Sequence, residues 1–276
     1  MRYVSLLAIG AVVLYVVFIS VVPLLDWLIL YPTTESVPPG TAVRRTIPFE
    51  QGELEIWTAA PKSAQMSGRP DFYVLSFCGN GGRAEYSIAA QAEIFDGRSV
   101  EVWGVNYPGY GASTGPARLT RIGPAALAAF DAVKRIADNR PIIIFGFSLG
   151  STAALHVAAH RSVAGVIVQD SPALRQMILG QHGWWNLWLL AGPLSLRLPG
   201  ALDSVKNANA IHAPGVFLLA EKDDLVSPKY QALVLDAYAG EKLVISLPGA
   251  GHNSPILGVA LARLQSSIDW LLRQAG

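Results

Sequence analysis

The alternation of apolar and polar positions changes rhythm several times along this chain, and each change marks an element. From residue 3 to residue 25 no charged side chain occurs over 23 positions, and a helix built from this run is apolar on every face. Such a helix is about 34 Å long, enough to cross a hydrocarbon core of about 30 Å. Prolines at 32, 38 and 39 break the pattern, so residues 31–40 are expected to form a linker. Two alternating runs between residues 41 and 60, on either side of Gln51-Gly52, predict a β-hairpin. Beyond Asp71 short continuous apolar runs at 72–77, 100–105, 142–147, 163–168, 216–220 and 243–247 alternate with helical stretches. Strands buried on both faces with helices between them require an α/β fold, a mostly parallel central sheet with helices on both faces.

Two stretches stand outside that alternation. Residues 171–205 hold Trp184, Trp185, Trp188 and many leucines, too long for a simple crossover and too apolar for a solvated loop. This stretch is expected to be an inserted helical cap; the competing reading is one long covering helix broken at Pro193 and Pro199. The other is the N-terminal run. No small-x-small cleavage site lies between residues 18 and 31, so a retained transmembrane signal anchor over residues 1–30 is favoured over a removed signal peptide. Arg2 precedes the run while Asp26 and Glu35 follow it, which places the N-terminus in the cytoplasm and residues 41–276 on the extracytoplasmic side.

Composition narrows the chemistry. Over 276 residues, 51% are hydrophobic and only 15% charged, and the net charge of +1 offers no basic field for nucleic acid. A single cysteine, Cys78, excludes an internal disulfide. The five histidines have no metal-ligand spacing, so no metal and no cofactor are expected.

The strand at 142–147 runs into Gly146-Phe147-Ser148-Leu149-Gly150. A G-x-S-x-G step from strand to helix forces the serine into a sharp turn that lifts its hydroxyl out of the sheet. A serine nucleophile needs a base, an orienting acid and donors for a developing oxyanion. In a parallel sheet the loops at the carboxyl ends of the strands converge on one crevice, so those loops are where the partners belong. His252 follows the last strand in Gly249-Ala250-Gly251-His252-Asn253. His156 and His160 fall inside the helix after the serine, His182 in the cap, and His212 ahead of the acid candidates. The acid is expected at Asp223 in the loop at 221–226, with Glu221 and Asp224 as neighbours and Asp170, at the end of another strand, as a competitor. The backbone amides of Leu149 and of Asn80, in the small-residue turn Cys78-Gly79-Asn80-Gly81-Gly82, are the expected oxyanion donors.

With Ser148, Asp223 and His252 in the order nucleophile, acid, base, the chain from residue 41 onward resembles the α/β-hydrolases. More narrowly it is similar to membrane-anchored serine hydrolases of the α/β-hydrolase-domain type. Their His-Gly-Asn turn is matched by Cys78-Gly79-Asn80, with cysteine in place of histidine. Their Tyr-x-Gly-Tyr-Gly-x-Ser-x-Gly loop is matched by Tyr107-Pro108-Gly109-Tyr110-Gly111-Ala112-Ser113-Thr114-Gly115. The resemblance implies an α/β-hydrolase fold and a serine hydrolase that cleaves ester or thioester bonds through an acyl-enzyme. The substrate partner is then a small-molecule or lipid-like ester, met at a membrane, with the cap tryptophans against substrate or lipid. Acyl transfer and amide cleavage use the same machinery, and a noncatalytic tethered binding module is the alternative from another class.

Overall fold

The computed structural model describes residues 2–63 and 68–274. Met1 of the expected anchor, residues 64–67 and the last two residues of the expected catalytic domain lie outside that set. Two helices open the chain, α1 (Arg2–Val21) and α2 (Leu24–Ile29), parted at Pro23. The hairpin is β1 (Val43–Phe49) and β2 (Gly52–Ala59), paired antiparallel, with Glu50 and Gln51 as the turn. Then come β3 (Phe72–Phe77), α3 (Ala84–Ala92), β4 (Val100–Val105), α4 (Leu119–Ala137), β5 (Ile142–Phe147), α5 (Leu149–His160) and β6 (Gly165–Gln169). After β6 run α6 (Leu174–Asn186), α7 (Gly192–Leu196), α8 (Ser204–Ala208), β7 (Gly215–Ala220), α9 (Pro228–Ala237), β8 (Lys242–Leu247) and α10 (Gly258–Gln274).

All eight strands join one sheet in the order β1-β2-β4-β3-β5-β6-β7-β8, antiparallel at the hairpin and at the β2–β4 pair, parallel from β4 onward. Both faces are covered, as the unbroken apolar strands require. Ile88 of α3 and Leu264, Ile268 and Leu271 of α10 pack on one face, against Val74, Val102 and Ile143. On the other, Ile122 and Val133 of α4, Leu155 and Val157 of α5 and Val234 of α9 pack against Leu75, Ile144 and Val168.

The register places the site. Phe77 at the end of β3 stands opposite Gly146 of β5, Phe147 of β5 opposite Gln169 of β6, and Ala220 of β7 opposite Leu247 of β8. The loops carrying Asn80, Ser148, Asp170, Asp223 and His252 therefore leave neighbouring strands at the same edge.

Two expectations are refined. Within 171–205, residues 174–196 form one bent helical run, in which α6 passes through a π turn at Leu187–Ala191 into α7, and a separate 3-10 turn follows at Gly200–Leu202. The bend falls at Asn186, whose Oδ1 accepts from the Ala191 amide at 3.1 Å, and not at Pro193, which sits in the first turn of α7 where a missing N–H costs nothing. The last residues of the expected anchor range, 1–30, make contacts with the sheet domain. Leu25 and Leu30 are buried in the core, and Asp26 accepts from the Leu119 amide at 2.7 Å and from Arg118 at 3.1 Å, capping α4. Residues 24–30 are thus part of the packed domain. The preceding α1 is a 20-residue helix whose side chains at 2, 4, 5, 8 and 21 lie outside the described set; among the described residues no helix is long and apolar enough to cross a membrane.

Candidate active site

Ser148 sits between β5 and α5 with φ +51° and ψ −121°, a strained conformation for a residue with a Cβ, costing on the order of 1–3 kcal/mol. Its flanking glycines are sterically required. A Cβ on Gly146 would stand 2.5 Å from Cα of Ser151, and one on Gly150 would stand 2.1 Å from the Phe77 carbonyl oxygen. The Ser148 amide donates to the Gln169 carbonyl at 2.9 Å, which ties the strained turn to the neighbouring strand.

From Ser148 a hydrogen-bonded line runs inward. Ser148 Oγ lies 2.8 Å from His252 Nε2, and His252 Nδ1 lies 2.7 Å from Asp223 Oδ2. All three residues are buried. The Asp223 carboxylate also accepts from the amides of Leu225 (3.0 Å) and Val226 (2.7 Å) and from Gln231 Nε2 (3.1 Å). Four donors thus satisfy one buried carboxylate, which a lone charge at that depth requires. Glu221 is used elsewhere, accepting from Ser246 at 2.7 Å. Gln231, one turn into α9, carried no sequence signal beyond its helical position.

Asp170, the competitor, is fully buried at φ +50° beside this pair, and its ligating oxygen lies within 4.8 Å of those of Asp223 and His252. It does not bond to the imidazole: Oδ1 accepts from the Ala220 amide at 2.9 Å and Oδ2 from Gln169 Nε2 at 3.4 Å. Burial pushes its carboxyl up to about 6, and the Asp223 charge pushes the same way, against the Ala220 hydrogen bond. Though Asp170, Asp223 and His252 stand close enough to hold a cation, both imidazole nitrogens are engaged in the line from Ser148 to Asp223.

The other histidines lie apart. His156 is buried in α5 with its ring 4.3 Å from that of His160, and burial pushes it down to about 4, with His160 adding to the effect. The side chain of His182 lies outside the described set.

Leu149 opens α5, so its amide is one of the helix's unpartnered donors. Among the described residues neither the Leu149 nor the Asn80 amide donates a hydrogen bond. The turn bearing Asn80 is pressed against the nucleophile: a Cβ on Gly79 would meet the Phe147 ring at 2.9 Å and Ser148 Cβ at 3.4 Å. Cys78 Sγ lies 3.4 Å from Ser87 Oγ. Burial pushes its thiol up to about 11, which favours the protonated form.

The glycine-tyrosine loop supports this turn from behind. Tyr107 donates to the Cys78 carbonyl at 3.3 Å and Tyr110 to Asn80 Oδ1 at 3.0 Å. Ser113 Oγ donates to the Asn106 carbonyl (2.7 Å) and accepts from the Glu55 amide (2.8 Å). The absence of a side chain at Gly111 (φ +56°) makes room for Glu55 Oε2, which a Cβ would meet at 2.3 Å. Burial alone would raise the Glu55 carboxyl, but bonds from the Ala112 amide, Arg44 and Asn106 hold it below the usual range.

Ser148, Leu149 and Asn80 open into a cavity of about 510 Å³. Its walls are apolar: Met177, Ile178, Trp185 and Leu190 from the cap, and Leu25, Leu28, Ile29 and Tyr31 from the N-terminal segment. The expectation for the tryptophans changes accordingly. Trp185 lines the cavity, whereas Trp184 and Trp188 turn outward, 84% and 86% exposed.

A family model described as the alpha/beta hydrolase fold matches residues 77–193. An uncharacterized protein of Mycobacterium tuberculosis is 28% identical over 181 residues, 64% of this chain and 62% of its own length, so the match spans less than two thirds of that relative. Among solved structures, Est1E from Butyrivibrio proteoclasticus superposes with a TM-score of 0.64 at 13% identity, covering 83% of this chain and 99% of that one. An esterase from Pyrococcus furiosus does so with a TM-score of 0.62 at 17% identity, covering 90% of this chain and 100% of that one. The chain has the α/β-hydrolase fold.

Proposed function

We propose that this protein is a serine hydrolase that cleaves esters or thioesters with an apolar acyl group. The observation that carries this reading is the line from Ser148 Oγ through His252 to Asp223, opening beside two free amides at the end of an apolar cavity. In the first half-reaction Ser148 Oγ attacks the carbonyl carbon while His252 Nε2 takes the hydroxyl proton. Asp223 holds Nδ1–H, fixes the tautomer and stabilises the imidazolium. The carbonyl oxygen takes up negative charge between the amides of Leu149 and Asn80. His252 then returns the proton to the leaving alcohol or thiol. Water, deprotonated by the same nitrogen, resolves the acyl-enzyme.

The acyl chain is read into the cavity between cap and N-terminal segment, whose lining offers methyls and rings and few polar groups. Attachment to a membrane belongs to the same proposal. It is supported by the uncharged run at 3–25 and by exposed apolar side chains in the two segments that supply the cavity walls: Trp27, Leu28, Trp184, Trp188 and Leu189. Arg2 ahead of the run favours an extracytoplasmic catalytic domain.

Hydrolysis of p-nitrophenyl esters graded from acetate to palmitate tests the reading. The purified protein is expected to turn over the longer chains with a lower KM, and Ser148→Ala to abolish turnover without loss of fold. Turnover by Ser148→Ala at the wild-type rate contradicts it.

A further inference from the structure

Asn80 enters the reaction above only through its backbone amide; its side chain is occupied differently. Oδ1 accepts from the Tyr31 amide at 3.0 Å and from the Tyr110 hydroxyl at 3.0 Å, and Nδ2 donates to the Ile29 carbonyl. Both acceptor sites and one of the two donor hydrogens of the carboxamide are therefore used. The partners come from two distant places, the exit of α2 and the glycine-tyrosine loop. Burial pushes the Tyr110 hydroxyl up to about 12, so it remains a donor at any working pH.

The turn needs this support. Gly79, Gly81 (φ +72°) and Gly82 make its backbone permissive, with no intrinsic preference that would aim the Asn80 amide at the oxyanion position. Packing does not aim it either, because Asn80 lines two cavities, the acyl cavity of about 510 Å³ and another of about 820 Å³ bounded by Thr33, Cys78, Phe147 and Asn253. The inner side of the turn rests on Phe147 and Ser148. Its ends are held at the Cys78 carbonyl by Tyr107 and at the Gly81 carbonyl by Thr33 Oγ1 (3.5 Å), and what holds Asn80 itself on the outer side is the carboxamide.

We propose that the Asn80 side chain is a positioning group that makes the backbone of Ile29 and Tyr31, where the N-terminal helices enter the domain, the outer brace of the oxyanion turn. The placement of the N-terminal segment then sets the catalytic power of a triad that is otherwise complete without it. This inference rests on Ser148 as nucleophile.

The test uses the full chain and three variants, Asn80→Ala, Tyr110→Phe and their combination. kcat and KM are measured on one ester, together with the affinity of an alkyl trifluoromethyl ketone. Ser148 Oγ adds to that ketone's carbonyl carbon, the serine proton passes to His252, and the former carbonyl oxygen becomes an oxyanion in the hole. A mis-aimed amide is expected to lower kcat by about 10- to 100-fold for Asn80→Ala, with KM changed less than about twofold, and to weaken the ketone in proportion. Tyr110→Phe removes one hydroxyl and is expected to show the same pattern at smaller size. The double variant should be no worse than Asn80→Ala alone, because the hydroxyl acts through the carboxamide. Variants that lose thermal stability but keep kcat and ketone affinity overturn the proposal, as does full additivity of the two changes. A wild-type protein that neither hydrolyses the ester nor binds the ketone overturns the hydrolase reading, and this inference with it.

Discussion

The crevice at the sheet edge and the apolar roof above it are built on opposite terms. In the crevice Ser148, Asp223 and His252 are 8%, 3% and 7% exposed, and the oxygens and nitrogens that link them all have partners inside the chain. On the roof, Trp184 and Trp188 are 84% and 86% exposed and Trp27 65%. A backbone held at φ +51° and a carboxylate with four donors persist only where surrounding contacts fix them. Trp27, Trp184 and Trp188, exposed in the two segments that wall the cavity, have no such fixing contacts among the described residues, and exposed indoles of this kind are the mark of a surface that works against something else. On the proposed reading the crevice does the chemistry, and the roof selects what reaches it.

Changes in the crevice are expected to act on turnover and hardly on substrate capture. Ser148→Ala removes the attacking atom and should lower kcat by about 10⁶-fold, read in a steady-state ester assay. Asp223→Asn keeps the shape but cannot hold the imidazole in its working tautomer, and about a 10⁴-fold loss in kcat is expected. Asp170→Asn should leave kcat within about tenfold, since Asp170 makes no bond to His252. A larger loss from Asp170→Asn than from Asp223→Asn would move the acid to β6.

Asp170 also shows that the crevice is assembled at a cost in stability. Burial pushes its carboxyl in the folded state up to about 6, from the ordinary 3.8. The folded state thus binds the proton more tightly than the unfolded chain, and the stability this gives at low pH is lost as pH rises through about 6. Asn mimics the protonated form and keeps an acceptor for the Ala220 amide. Asp170→Asn is expected to be more stable than wild type at pH 8 by on the order of 2 kcal/mol, with the gap closing between about pH 6 and pH 4. Urea unfolding at pH 8, 6 and 4 checks both the sign and the window.

Much of the crevice was legible in the sequence because its geometry is local. Strand-serine-helix, strand-turn-aspartate and strand-glycine-histidine each carry their own backbone demands, and a parallel sheet brings such loops to one edge without further information. The runs at 72–77, 100–105 and 142–147 coincide with β3, β4 and β5 for the same reason, since strands covered on both faces are apolar at nearly every position, Ser76 of β3 and Glu101 of β4 being the exceptions. The roof was not legible. Residues 24–30 continue an apolar run, and nothing in that run says that Leu25 turns into the core while Trp27 faces out. A π turn shifts the helical phase after Asn186, and which of three neighbouring tryptophans enters the cavity depends on where the helix lies over the sheet. The Asn80 carboxamide was missed because its partners Ile29 and Tyr31 offer backbone atoms, which leave no trace in residue identity.

The smallest expected effect divides the roof. Trp184→Ala with Trp188→Ala should change stability by less than about 0.5 kcal/mol, since both side chains are exposed. It should also lower turnover of long-chain esters presented in phosphatidylcholine vesicles by about fivefold, within the range of indole partition into an interface, with acetate turnover unchanged. Trp185→Ala, which opens the cavity wall, should weaken long-chain esters in detergent as well. Equal losses for both ester classes would make the outward pair part of the core after all.

The most direct measurement is the stoichiometry and position of covalent labelling by a fluorophosphonate, in which Ser148 Oγ displaces fluoride at phosphorus and the His252 side takes the proton. One adduct per chain is expected, located at Ser148 by peptide mass spectrometry, abolished in Ser148→Ala and slowed severely in Asp223→Asn. A folded protein that remains unlabelled, or that carries the adduct on another residue, would contradict the role given to Ser148.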